Sequence, residues 1–347
     1  MIRRTIPPAR TAFQVVLAMQ AGVEHYGEGD MTRKISLSAT GIRFPRLMTI
    51  GIVTASLFGI AGTVQTAEVR HEEGEHLKPS GKGWGEHDQT GWSARNARTF
   101  GNAMLYHGGP LMLGTPNIYY IWYGNWSDNT APGILTNLAQ NFFGSPYYNI
   151  NSTYYDRTRS RISGQINYVG SIADSYSQGT ALSDDAVQNI VAAALESKAL
   201  PTDSNGVYFV LTSADVDETS GFCRQYCAWH TNGTINGQDI KFAFIGNPDR
   251  CPFACSAQTT SPNGNAGADG MASMIAHELS EMVTDPDLNA WYDQQGNENG
   301  DKCAWNFGTT QRARNGSMYN VTLGSTKYLL QQIWANARGG YCAIHYP

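Results

Sequence analysis

"MIAHELSEMVTDPDLNAWYDQQGNENGDKCAW", Met274 to Trp305, is the stretch on which the reading of this chain turns. It contains His277-Glu278-Leu279-Ser280-Glu281, a variant of the His-Glu-x-x-His spacing that holds zinc on one face of a helix. Met271, Ile275, Leu279 and Met282 recur at helical intervals and predict a helix over about 269–284 with a core-facing stripe. His277, Glu281 and Asp285 recur every four residues on a second stripe, and Pro286 ends the helix. The i to i+4 spacing puts an imidazole and a carboxylate one turn apart, close enough to share a cation, with Glu278 beside them as a general base. The competing reading is an acidic solvent-facing stripe that carries one histidine.

A hydrolytic zinc ion takes three protein ligands and keeps a fourth position open for water. The loop "YDQQGNENGDKC" offers Glu298 as the first candidate for the third ligand and Asp301 as the second. A loop binding calcium through oxygens is an alternative, although the EF-hand order of acidic positions is missing. A second carboxylate in place of the second imidazole makes the site more anionic, which brings manganese or calcium into contention with zinc. His230 in "CAWH" and His107 in "YHGG" are further nitrogen donors, read first as structural polar groups. Cys227 with His230 is a weaker nucleophilic pair, because an oxidised cysteine has no thiolate.

Working outward, "NIYYIWYG" (117–124) and "GVYFVLTS" (206–213) are aromatic and β-branched runs bounded by turn residues and predict strands, as do "QINYVGSI" and "IKFAFIG". "PGILTNLAQNFF" (132–143) starts on proline and "SDDAVQNIVAAALES" (183–197) starts on a serine cap with acids in its first turn, so both predict helices. Alternating strands and helices give an α/β arrangement. Residues 99–347 are expected to form a single domain. Residues 68–98 show no apolar period and read as a mobile leader whose His71, His76 and His87 lack a rigid element to fix them. "RFPRLMTIGIVTASLFGIAGTVQTAEV", Arg43 to Val69, sets two arginines before an apolar run and then small residues. It reads as a secretory signal within a leader of residues 1–67, the alternative being an uncleaved anchor.

The six cysteines, Cys223, Cys227, Cys251, Cys255, Cys303 and Cys342, all follow that signal and argue for disulfides, although the two Cys-x-x-x-Cys pairs also resemble zinc-ribbon halves. If the four clustered cysteines pair among themselves, Cys303 and Cys342 remain to staple the C-terminal part. The formal charge of -5, with 24 Lys and Arg set against 29 Asp and Glu, gives no basic stripe, which argues against a nucleic-acid partner. Only 15% of residues are charged while 37 are glycine and 18 tyrosine, which suits a loop-rich extracellular protein.

"YHGGPLMLGTPNIYYIWYGNW", "SGFCRQYCAWHT", "FAFIGNPDRCPFAC", "DGMASMIAHELSEMVTDP" and "KYLLQQIW" together resemble, in the same order, the phosphate-induced protein 1 or EXORDIUM-like family over about residues 101–345. The resemblance implies a protein exported to the cell exterior or wall, since plant members are apoplastic, associated with growth regulation and without an established activity. Plant members look like they carry a Ser-Glu-Ile-Ala-Gly type sequence where this chain has the His-Glu motif. In this respect the chain is similar to bacterial secreted relatives with His-Glu-x-x-Glu, and the order of elements resembles a zincin. The fold expected is therefore α/β, a zincin-like mixed sheet with a metal-motif helix and a disulfide-stapled C-terminal part. The function expected is a secreted zinc-dependent hydrolase of peptides, with no stable membrane span in the mature chain. The rival reading is a non-catalytic extracellular protein binding wall polysaccharide or a receptor, in which Trp84, Trp92, Trp126 and Trp291 could stack on sugar rings.

Overall fold

The computed structural model describes residues 78–80 and 103–347, all within the unit Thr63–Pro347. The signal-like segment, most of the leader, His71, His76, His87, Trp84 and Trp92 lie outside the described residues. Six strands form the main sheet: β1 (Lys78–Ser80), β2 (Asn117–Tyr123), β3 (Asn167–Asp174), β4 (Gly206–Thr212), β5 (Tyr226–Ile235) and β6 (Gln238–Ile245). Their order across the sheet is β1-β5-β6-β4-β2-β3. β3, β2, β4 and β6 run parallel to one another, while β5 is antiparallel to β6. β1, inside the segment expected to be a leader, pairs in parallel with β5 through Lys78 opposite Tyr226 and Ser80 opposite Ala228.

The central strands carry unbroken apolar runs because both of their faces are covered; every residue of β4 is buried. The edge strand β3 instead alternates exposed and half-buried positions. The three helices that cover the sheet are α1 (Ala131–Gln140), α2 (Asp184–Glu196) and α3 (Ala266–Thr284). α1 begins with proline in its first turn, and α2 is capped by Ser183, whose hydroxyl accepts from the Ala186 N–H. After α3 the chain makes short two- and three-residue strands and a 3-10 turn over Asp301–Cys303. No helix among the described residues is long and apolar enough to cross a membrane.

Three disulfides form: Cys223–Cys251, Cys227–Cys255 and Cys303–Cys342. The first two run side by side from the start of β5 to the 251–255 turn, so neither Cys-x-x-x-Cys pair closes on itself. This removes the zinc-ribbon alternative and the Cys227–His230 nucleophilic pair. The third links the loop after α3 to the last strand.

Candidate metal centre

The motif helix forms where the sequence caps it. The Asn265 side chain accepts from the Ala268 N–H at 2.9 Å, and Asp269, in the first turn, accepts from Asn263 Nδ2 at 2.6 Å. At the other end the Asp285 N–H reaches the Glu281 carbonyl at 2.7 Å before Pro286 stops the helix. Asp285 then turns its carboxylate outward along the chain: Oδ1 accepts from the backbone N–H groups of Asn289 and Ala290, both at 2.6 Å. Asp285 thus fixes the following loop instead of extending the His277–Glu281 stripe. The acidic solvent face does not exist, because almost every residue from Gly267 to Thr284 is buried. Ser280 and Thr284 survive there by donating to the carbonyls of Ala276 and Ser280.

Five donor residues are sealed in: His230, His277, Glu278 and Glu281 are 0% exposed and Glu298 is 1%. The Asp301 side chain retains 19% exposure. His277 Nε2 lies 2.9 Å from Glu281 Oε1 and 3.6 Å from Asp301 Oδ1. His230, projecting from β5, places Nδ1 3.1 Å from Glu278 Oε2 and 3.5 Å from Glu281 Oε2, with Nε2 3.7 Å from Glu298 Oε1. Of the two candidates for a third donor, Asp301 therefore joins His277 and Glu281, while Glu298 faces the far side of the His230 ring. His230, first read as structural, stands among the donors. His107 does not: it is exposed, stacks on Tyr292 at 3.6 Å, and lies apart from the cluster.

The returning loop is held by its own bonds. Asp293 Oδ1 accepts from the N–H groups of Gln295 and Asn297, and Lys302 Nζ reaches Asp293 Oδ2 at 3.0 Å. Asp293 is thus engaged within the loop itself. Asn299 Nδ2 donates to the Ser280 carbonyl and to Thr284 Oγ1, both at 3.1 Å, pinning the loop to α3. The Asp301 N–H donates to Glu281 Oε1 at 3.1 Å. Gly300 supplies the space: a Cβ there would fall 2.8 Å from Glu281 Oε1 and 2.8 Å from His277 Cε1.

The electrostatics are unbalanced. Four carboxyl groups meet two imidazoles, so the acidic groups outnumber the basic ones and burial works against ionising all four. Burial opposes charge on His230, yet Glu298, Glu278 and Glu281 outweigh it and lift the ring well above the ordinary histidine value. Burial is likewise overcome at His277 by Glu281 and Asp301. Burial pushes Glu278 up to about 7, with His230 pulling the other way. Burial also works against charge on Glu281, but the two flanking histidines hold it down at about 2. Glu298 is raised well above the usual carboxylate range by burial, against the pull of His230 and with added repulsion from Glu281 and Asp285. Both Glu298 oxygens, both ring nitrogens of His277, His230 Nε2 and Glu281 Oε2 have no hydrogen-bond partner. Buried polar atoms in that condition cost free energy unless something else binds them. Two groups of donors, His277, Glu281 and Asp301, and His230, Glu278 and Glu281, each keep an imidazole nitrogen and two carboxylate oxygens within 4.8 Å of one another, a donor set that fits a divalent cation.

The proposed sugar-stacking tryptophans fare differently. Trp291 is buried among Tyr106, Tyr154 and Tyr155, and Trp126 packs edge-on against Trp122. Trp291 therefore offers no face to a sugar.

Comparison with known proteins adds the family. Residues 104–344 match the family described as "Phosphate-induced protein 1 conserved region". The chain is 34% identical over 272 residues to "Protein EXORDIUM-like 5" of Arabidopsis thaliana, covering 67% of this chain and 75% of that protein. It is 31% identical over 278 residues to "Protein EXORDIUM-like 3" of the same plant, covering 69% and 82%. It is 27% identical over 218 residues to "Protein PHOSPHATE-INDUCED 1" of Nicotiana tabacum, covering 54% and 67%. No solved structure matches the chain. With its conserved region spanning most of the described residues, the chain belongs to the phosphate-induced protein 1 family.

Proposed function

We propose that this is an extracellular, non-catalytic member of its family in which the motif helix and its loop hold a divalent cation, zinc or manganese, as part of the fold. The observation that carries the reading is closure. A catalytic ion needs an open position for water and substrate, whereas the donors on α3 and β5 are fully buried. His277, Glu281 and Asp301 would hold the ion. When bound, the cation supplies positive charge to three buried carboxylates and the half-buried Asp301. Glu278 does not act as a general base in this account, because its carboxylate is taken up by His230 at 3.1 Å. Three disulfides support residence in an oxidising compartment outside the cell. The zincin-like reading of the fold draws support from the mixed sheet, its antiparallel β5 and the motif helix that follows β6.

The test combines stability and turnover on the full chain. Zinc-loaded protein is expected to lose several degrees of melting temperature on chelation, to regain them when zinc is returned, and to leave a broad peptide library intact. A melting temperature indifferent to chelation would reject the structural ion. Peptide cleavage that disappears in Glu278→Gln would establish the hydrolase instead.

A further inference from the structure

The donors divide into two sets that meet at one residue. On one side stand His277 Nε2, Glu281 Oε1 and Asp301 Oδ1; on the other stand His230 Nδ1, Glu278 Oε2 and Glu281 Oε2. Each set lies within 4.8 Å overall. Glu281 is common to both, and it turns a different oxygen to each. We infer that the centre binds two divalent cations, bridged by the Glu281 carboxylate, the second being held by His230 and Glu278.

The distances suit two ions better than one. Donors about 2.1 Å from a shared ion are about 3.0 Å apart at a right angle and about 3.4 Å apart at a tetrahedral angle. His277 Nε2 stands 2.9 and 3.6 Å from its two oxygens, and His230 Nδ1 stands 3.1 and 3.5 Å from its own two. The histidines lie nearest to opposite oxygens of Glu281, so each imidazole has its own ion to complete. The remaining nitrogen of His230 faces Glu298, which is the arrangement that sets the orientation of a metal-bound imidazole through a carboxylate on its other side. His277 Nε2 and Glu281 Oε2, fully buried and without a hydrogen-bond partner, point into the two sets independently of the carboxylate count. Two ions also answer the charge balance: with neutral imidazoles the four carboxylates match two divalent cations.

This inference rests on the reading of the cluster as a metal centre, and one experiment separates the two. The full chain is stripped with chelator and titrated with manganese, and the bound ions per chain are counted by native mass spectrometry. The expected count is two, with an electron paramagnetic resonance spectrum of an exchange-coupled pair, since carboxylate-bridged ions sit about 3.5–4 Å apart. One ion per chain, or two with uncoupled spectra, overturns the bridged pair and leaves the single-ion reading standing. No bound ion overturns both. His230→Ala and Asp301→Asn, which act on opposite sides, are each expected to reduce the count from two to one; a count of two in either folded variant also refutes the assignment. The titration of the unaltered chain decides the matter even if a variant does not fold.

Discussion

Replacing Gly300 by alanine tests whether the loop is built around the donors. The backbone at Gly300 is right-handed helical, with φ -72° and ψ -47°, so alanine meets no conformational barrier. On backbone grounds alone the change would stabilise the protein by about 0.4–1 kcal/mol, by restricting the unfolded chain. The new methyl, however, would lie 2.8 Å from Glu281 Oε1, 2.8 Å from His277 Cε1 and 2.9 Å from His277 Nδ1. Comfortable contacts between carbon atoms are about 3.5–4.0 Å, and neither partner can swing into solvent. Overpacking of this kind costs about 1–3 kcal/mol. The net effect in chelated protein is then a loss of roughly 0.5–2 kcal/mol. At about 2–4 °C per kcal/mol for a domain of this size, the melting temperature falls by a few degrees. Because the displaced atoms belong to His277 and Glu281, zinc affinity should also fall, on the order of 10–100-fold as for other disturbed ligand settings. Urea unfolding of the chelated proteins and zinc titration of both measure these effects. An alanine variant that is more stable than the parent and binds zinc equally well would refute the packing argument.

Asp285 gives a pH-dependent prediction. Burial lifts its pKa to about 6 from 3.8, so the folded state binds this proton more tightly than the unfolded one. The resulting stability is fully present below about pH 3.8 and is lost as the pH rises through 6, amounting to about 3 kcal/mol. Asparagine keeps an oxygen for the Asn289 and Ala290 N–H groups and does not ionise, so Asp285→Asn should gain on the parent between pH 4 and 7 in urea unfolding; a constant difference across that range would contradict the assignment. Removing the Cys303–Cys342 bridge by double serine substitution releases a loop whose ends are 39 residues apart, for an expected loss of about 4 kcal/mol. The same variant should weaken metal binding, because the bridge anchors the segment carrying Asp301; unchanged metal affinity would show that the loop's hydrogen bonds suffice without it.

Much of the scaffold was legible in local pattern. The apolar runs of β2 and β4, the proline start of α1, the Ser183 cap and the four-residue intervals of α3 each gave their element. β5 escaped because "YCAWHTNGTI" dilutes the alternation with cysteine, glycine and asparagine. A signal did exist: Asn236 and Gly237, both at positive φ (53° and 76°), form the two-residue turn that joins β5 to β6. Reading that dipeptide as a hairpin would have placed His230 on a strand, although its meeting with Glu278, 48 residues later, depends on packing between sheet and helix. Spacing also failed to rank Glu298 against Asp301, since the turn around Gly300 decides which carboxylate points at His277. The complete burial of α3 was invisible for a related reason. Its cover comes from elements distant in sequence, the main sheet and α1 on the N-terminal side and Thr326–Tyr328 on the C-terminal side, which no local pattern in the helix announces.

Anomalous diffraction from crystals of the zinc-loaded full chain, recorded on either side of the zinc absorption edge, locates a bound ion directly. The expected result is at least one peak bounded by His277 Nε2, Glu281 Oε1 and Asp301 Oδ1, with His277 and Glu281 buried beside it. No anomalous peak among these residues, or a peak that opens onto a solvent cleft with Glu278 turned towards it and away from His230, would contradict it.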